Sequence, residues 1–107
     1  MSFFSKLAGL FSRGSREESS LLEGVEHAKG KRPEKAIKIF NSLLATSTLS
    51  ASVRASALYN RALAFSATDQ DDKAMTDLQK ILTLPGLPDN VQSAARTRIA
   101  RVKKRAE

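Results

Sequence analysis

"ALYNRALAFSATDQDDKAMTDLQKILTLP", residues 57–85, decides the fold. Ala57, Leu58, Ala62 and Phe65 recur at helical spacing, and Val53 extends the same stripe upstream, making a helix of about four turns. The polar run "ATDQDD" at 67–72 interrupts the stripe with turn-forming residues. Ala74, Met75, Leu78, Ile81, Leu82 and Leu84 then line a second helix, which Pro85, Gly86 and Pro88 bring to an end. The stretch reads as a helical hairpin.

The same plan holds on both sides of it. Upstream, Leu21, Leu22, Val25 and Ala28 mark one helix, and Ala36, Ile37, Ile39, Phe40, Leu43 and Leu44 mark the next. Between them Gly30 is expected to supply the positive φ that ends a helix, and Pro33 to occupy the first turn of its successor. "TSTLSAS" at 46–52 is a polar connection carrying Ser50 and Ser52 as candidate N-caps. Downstream, Asp89 is placed to cap a final helix whose apolar stripe is Val91, Ala95, Ile99 and Val102. No stretch alternates with β-branched or aromatic enrichment, so the class is all-α.

Composition sets the outer bounds. At 107 residues, 41% hydrophobic and 27% charged, the chain has the length and make-up of one globular domain. It has no cysteine, which excludes a disulfide scaffold, a thiol nucleophile and a thiolate metal site. No apolar run approaches the roughly 18 residues that span a bilayer, and "MSFFSKLAGLFSRGS" is too interrupted by polar residues for a signal peptide. A cytoplasmic location, with peripheral membrane contact as an option, is the expectation. The net charge of +7 is uneven: residues 31–52 hold four cations against one anion, and residues 89–107 six against two.

"EKAIKIFNSLL" at 34–44 matches "DKAMTDLQKIL" at 72–82, with Ala36 and Ala74 38 residues apart, as are Phe40 and Leu78. The second hairpin resembles the tetratricopeptide repeat: Leu58 stands as the large residue opening the first helix, Ala62 as the small crossing residue and Phe65 as the ring. Ala74, Leu78 and Ile81 fit the second helix of that repeat, and Pro85 lies near its closing proline. The first hairpin matches more loosely, with Gly24 in the small position, His27 in place of the ring and four extra residues in the period. The resemblance implies antiparallel hairpins stacked as a short right-handed superhelix. Its divisions are an amphipathic segment and linker over 1–19, repeats over 20–48 and 53–87, and a capping helix over 89–105.

The resemblance also implies a concave groove, lined by first helices, that binds a peptide or amphipathic helix of another protein. The groove residues expected are Leu22, Val25, Tyr59, Asn60 and Leu63, with Glu18, Leu21, Lys29, Ser56 and Ala67 on the same faces. Family members that grip the C-terminal carboxylate of chaperones carry an asparagine where Asn60 stands. Leu21 and Val25 replace the polar partners such a clamp needs, so half of it is missing.

Two other features carry function. Phe3, Phe4, Leu7, Leu10 and Phe11 form one side of an amphipathic N-terminal segment. It has four destinations: its own groove, an anionic membrane surface, another protein, or none in the isolated chain. "RGSREESS" at 13–20 reads as a flexible join, and Ser20 with Glu23 has capping-box spacing. Arg96, Arg98, Arg101, Lys103, Lys104 and Arg105 make a basic C-terminal face, the basis of an alternative reading as a nucleic-acid-associated protein. No interleaved ring is present there to stack bases. His27, the lone histidine, has no catalytic or metal partners in the sequence, and Asp69, Asp71 and Asp72 read as turn residues rather than a calcium loop. No enzyme activity, cofactor or metal is expected, and the oligomeric state is undetermined.

Overall fold

A computed structural model of the chain describes residues 16–107. The segment carrying Phe3, Phe4, Leu7, Leu10 and Phe11 lies outside the described residues. Five helices make up the described fold, with no strand among those residues: α1 (Arg16–Lys29), α2 (Pro33–Leu44), α3 (Ala51–Ala67), α4 (Asp71–Thr83) and α5 (Asp89–Ala106). α1 packs on α2 and α3 on α4 as hairpins; α2 also packs on α3, and α4 on α5. α1 touches α3, and α3 touches α5. α3 thus touches all four of the other helices.

α3 is the shared wall of two cores. Toward one side Val53, Ala57 and Ala64 join Leu21, Val25, Ala36, Phe40 and Leu43. Toward the other, Ala55, Leu58, Tyr59, Ala62 and Phe65 join Ala74, Leu78, Ile81, Val91, Ala95 and Val102. A helix covered on two sides must be apolar nearly all round, and ten of the 17 residues of α3 are buried. Each fully enclosed large side chain, such as Phe40, Leu21, Leu78 and Ile81, contributes at most about 1.5–3 kcal/mol.

The two hairpin turns are built alike. Lys31 (φ 61°) and Asp69 (φ 60°) are the left-handed residues that end α1 and α3. Around the first, Arg32 N donates to His27 O at 2.9 Å and Lys31 N to Ala28 O at 3.2 Å. Around the second, Gln70 N donates to Phe65 O at 2.8 Å and Asp69 N to Ser66 O at 3.2 Å. Each pair is a Schellman closure, satisfying carbonyls the helix end leaves open. The residues entering the next helices, Arg32 (φ −121°, ψ 64°) and Gln70 (φ −109°, ψ 57°), also share a conformation. All these equivalent positions are 38 residues apart, the spacing of Ala36 with Ala74. Gly30, expected to hold the positive φ, does not; the closure sets the left-handed position one residue later, on Lys31.

Other ends are closed by side chains. Ser50 Oγ accepts from Val53 N at 3.2 Å and caps α3. Arg54 donates to the carbonyl of Leu44 at the end of α2 (3.3 Å) and to that of Thr46 in the following turn (2.9 Å). Asp89 is the first residue of α5 rather than its N-cap, which is Pro88 without a side-chain bond. Ser20 and Glu23 do not form a capping box, because the chain is already helical at Arg16, and residues 16–20 belong to α1 rather than to a flexible join.

Gly24 and Phe40 lock the first hairpin together. A Cβ on Gly24 would lie 2.4 Å from Phe40 Cε1 and 2.8 Å from Cζ, so the ring occupies the space where a side chain would begin. Across the second hairpin the tie is polar. Arg61 Nε and Nη2 donate to the two oxygens of Asp77 at 2.8 and 2.7 Å, while Nη1 donates to Asn41 Oδ1 at 2.9 Å. Asp77 is 2% exposed. Its partners satisfy it fully, and three helices, α2, α3 and α4, meet at one guanidinium.

Candidate functional site

An apolar cleft of about 580 Å³ lies between α1 and α3. Asn60, Leu63, Ala64 and Ala67 supply its α3 wall at positions i, i+3, i+4 and i+7, one face of a helix. Val25, Ala28 and Lys29 supply the α1 wall, and Lys31 of the following turn and Pro33, the first residue of α2, complete the lining. The small side chains of Ala28, Ala64 and Ala67 leave the hollow, because the α1–α3 spacing is set by larger residues deeper in the core, Leu21 and Val53 among them.

The expected groove residues divide. Val25, Asn60 and Leu63 line the cleft, together with Lys29 and Ala67. Tyr59 does not: it is 7% exposed and packs in the second core. Ser56 is likewise enclosed. Leu22, at 46% exposure, is the one exposed large hydrophobic side chain among the described residues and stands outside the cleft. The open strip of α3 is therefore confined to its C-terminal end, where Leu63 is partly buried and Ala67 exposed. Asn60 is 5% exposed, and its amide nitrogen donates to Ser56 O at 2.8 Å, within its own helix. Ala28, Lys31, Pro33 and Ala64 were not among the expected lining residues. Helical spacing from Asn60 points to Ala64, and from Val25 to Ala28, but small side chains give no signal by hydrophobicity.

A second cleft, of about 410 Å³, lies between the end of α3 and α5, lined by Ser66, Arg98, Arg101, Val102, Lys104 and Arg105. It takes four of the six basic residues singled out in the sequence. Arg96 and Lys103 are exposed and line neither cleft. At 100° per residue Arg98, Arg101 and Arg105 fall on one flank of α5, with Arg96 and Lys103 on the other. Arg105 is ion-paired with Asp71 at the start of α4.

His27 is half-buried and accepts a hydrogen bond at Nδ1 from Arg32 Nε, 2.9 Å away, at the end of α1. It takes part in no ion pair among the described residues. Among the described residues no His, Asp and Glu side chains gather in the threes needed to hold a metal ion, and no helix is long and apolar enough to cross a membrane.

Comparison with protein-family models, with curated protein sequences and with solved structures finds no match for this chain.

Proposed function

We propose that this chain is a non-enzymatic protein–protein interaction module, a tetratricopeptide-like scaffold or adaptor that holds a peptide or amphipathic helix of another protein against α1, α3 and α5. The observation that carries the reading is the apolar cleft between α1 and α3, whose volume lies in the range of ligand sites. The repeat-like recurrence supports it: helix closures, entry conformations and buried residues repeat at 38 residues. Helices that stack by repetition leave a row of first helices facing one way, and such rows serve as extended binding surfaces.

The test is a photocrosslinking residue in place of Ala67, which is exposed in the cleft, compared with the same residue in place of Gln79, exposed on α4. In cells that make the protein, crosslinks to a discrete partner are expected from position 67 and not from position 79. Equal yields from both positions would refute the reading.

A second reading, association with nucleic acid, draws on the four cations gathered in the cleft beside α5. Against it, the aromatic rings of the described residues, Phe40, Tyr59 and Phe65, are all buried and offer no platform for stacking bases. Binding of this kind weakens steeply with salt, more steeply than a complex that also buries apolar side chains in the cleft. Peripheral membrane contact through residues 2–12 remains part of the proposal, as does a cytoplasmic location.

A further inference from the structure

We propose that the occupant of the α1–α3 cleft is an acidic amphipathic peptide of another protein, with its apolar side chains in the cleft and its carboxylates on the cations that border it. This rests on the reading of the cleft as a partner site and adds the chemistry of the partner.

Position comes first. Ser66 lines the basic cleft and Ala67 the apolar one. These consecutive residues have Cα atoms 3.8 Å apart and side chains about 100° apart around α3. Leu63, one turn earlier, sits between them on the open strip. The two clefts are thus neighbours on either side of the C-terminal end of α3, and one ligand a few residues long reaches both.

Charge comes second. Lys29 and Lys31 border the apolar cleft, and Arg98, Arg101 and Lys104 border its basic neighbour. None of these five forms an ion pair or a side-chain hydrogen bond with another of the described residues. No carboxylate lines either cleft. Acidic residues stand near both clefts without lining them: Glu26 and Glu34 flank the α1–α2 turn, Asp69, Asp71 and Asp72 stand at the α3–α4 turn with Asp71 engaged by Arg105, and Glu107 follows α5. Like charges held around a recess repel one another, and an anionic ligand relieves that repulsion as it binds.

Charge and shape together select among occupants. Residues 1–15 of this chain contain Lys6 and Arg13 and no Asp or Glu. However apolar its phenylalanines, that segment brings positive charge to a positive rim. Nucleic acid satisfies the cations and leaves the apolar walls of Val25, Ala28, Leu63, Ala64 and Ala67 unfilled. A bilayer presents its charge in a plane and does not enter a recess between two helices. A helix with leucines on one face and glutamates on its flanks satisfies both walls and rim.

The experiment uses the full chain and fluorescence anisotropy with three fluorescein-labelled 14-residue peptides. One carries Leu at i, i+3, i+4 and i+7 with Glu on the flanks; the second has Lys for Glu; the third has Ser for Leu. The Leu/Glu peptide is expected to bind at least about tenfold more tightly than either of the others. Its binding is expected to be lost in Ala67→Glu and weakened by about tenfold or more in Arg98→Glu/Arg101→Glu, with unchanged far-ultraviolet circular dichroism. Equal affinity for the Leu/Glu and Leu/Lys peptides, both lost in Ala67→Glu, would overturn the acidic partner and leave the cleft as a binding site. Binding insensitive to Ala67→Glu, or no binding of any peptide, would overturn the cleft reading as well. Binding that emerges only in Phe4→Ser/Phe11→Ser would show that residues 3–11 fill the cleft. Sedimentation with phosphatidylserine vesicles, lost in Arg98→Glu/Arg101→Glu and without peptide binding, would assign the cations to lipid. Either result would overturn the proposal.

Discussion

Replacing Gly24 by alanine puts a methyl carbon where the Phe40 ring already lies, 2.4 Å from Cε1. Ordinary carbon contacts begin near 3.4 Å, so the ring must retreat by about 1 Å. Phe40 is fully buried among Leu21, Ala36 and Leu43. Overpacking of this kind costs about 1–3 kcal/mol, and the higher helix propensity of alanine offsets about 1 kcal/mol. The expected net loss for Gly24→Ala is about 0–2 kcal/mol, or up to roughly 16 °C in Tm for a domain of this size. Phe40→Leu alone leaves a partial cavity and costs about 1–2 kcal/mol. The double variant, however, reproduces the pair found 38 residues on, Ala62 with Leu78, both buried in the second core. It keeps the propensity gain and removes the clash. Urea unfolding followed at 222 nm is expected to give a double variant more stable than the sum of the single changes by about 1–2 kcal/mol. Additivity within about 0.5 kcal/mol would refute the claim that Gly24 and Phe40 are coupled by contact.

The hairpin turn gives a second outcome: Lys31→Gly is expected to stabilise by about 0.5–1 kcal/mol, because Lys31 holds φ 61°. Gly30→Ala is expected to be tolerated, since its Cβ meets only the movable guanidinium of Arg32; a loss above about 1 kcal/mol in thermal melts would place the left-handed residue at Gly30 instead. At the buried ion pair, Asp77→Ala leaves the Arg61 guanidinium without its carboxylate and is expected to cost about 3–5 kcal/mol. Arg61→Met/Asp77→Leu is expected to recover most of that in equilibrium unfolding, and equal losses for the single and double variants would contradict it.

The core stripes were legible because helical periodicity records which face is covered. Val53, Ala57, Leu58, Ala62 and Phe65 are all buried, as are Ala74, Leu78 and Ile81. Ser50 was legible as a cap for the same local reason. What periodicity does not record is how closely separate helices approach. Tyr59 and Ser56 lie on the face of α3 opposite neither partner alone, and they are enclosed because α1 and α5 both close on that helix. Leu22 shows the reverse: it has an apolar side chain, and no helix among the described residues covers it.

The turn residue was misplaced because glycine is favoured for positive φ in general, while the position that must take it is fixed by the 6→1 and 5→2 bonds of the closure. The Arg61, Asp77 and Asn41 cluster has no local signature, since its members are 16 and 20 residues apart and meet only after packing. The basic face lay partly within reach. Counting 100° per residue separates Arg98, Arg101 and Arg105 from Arg96, but only the fold reveals that Ser66 and the apolar cleft stand beside them.

The most direct measurement is a methyl-resolved NMR titration of the full chain with the Leu/Glu peptide. Shifts concentrated on Val25, Ala28, Leu63, Ala64 and Ala67, with the methyls of Met75 and Leu82 unmoved, are the expected result. Shifts centred on α2 or α4, or on Leu22 with the cleft methyls silent, would contradict the assignment of the α1–α3 cleft as the partner site.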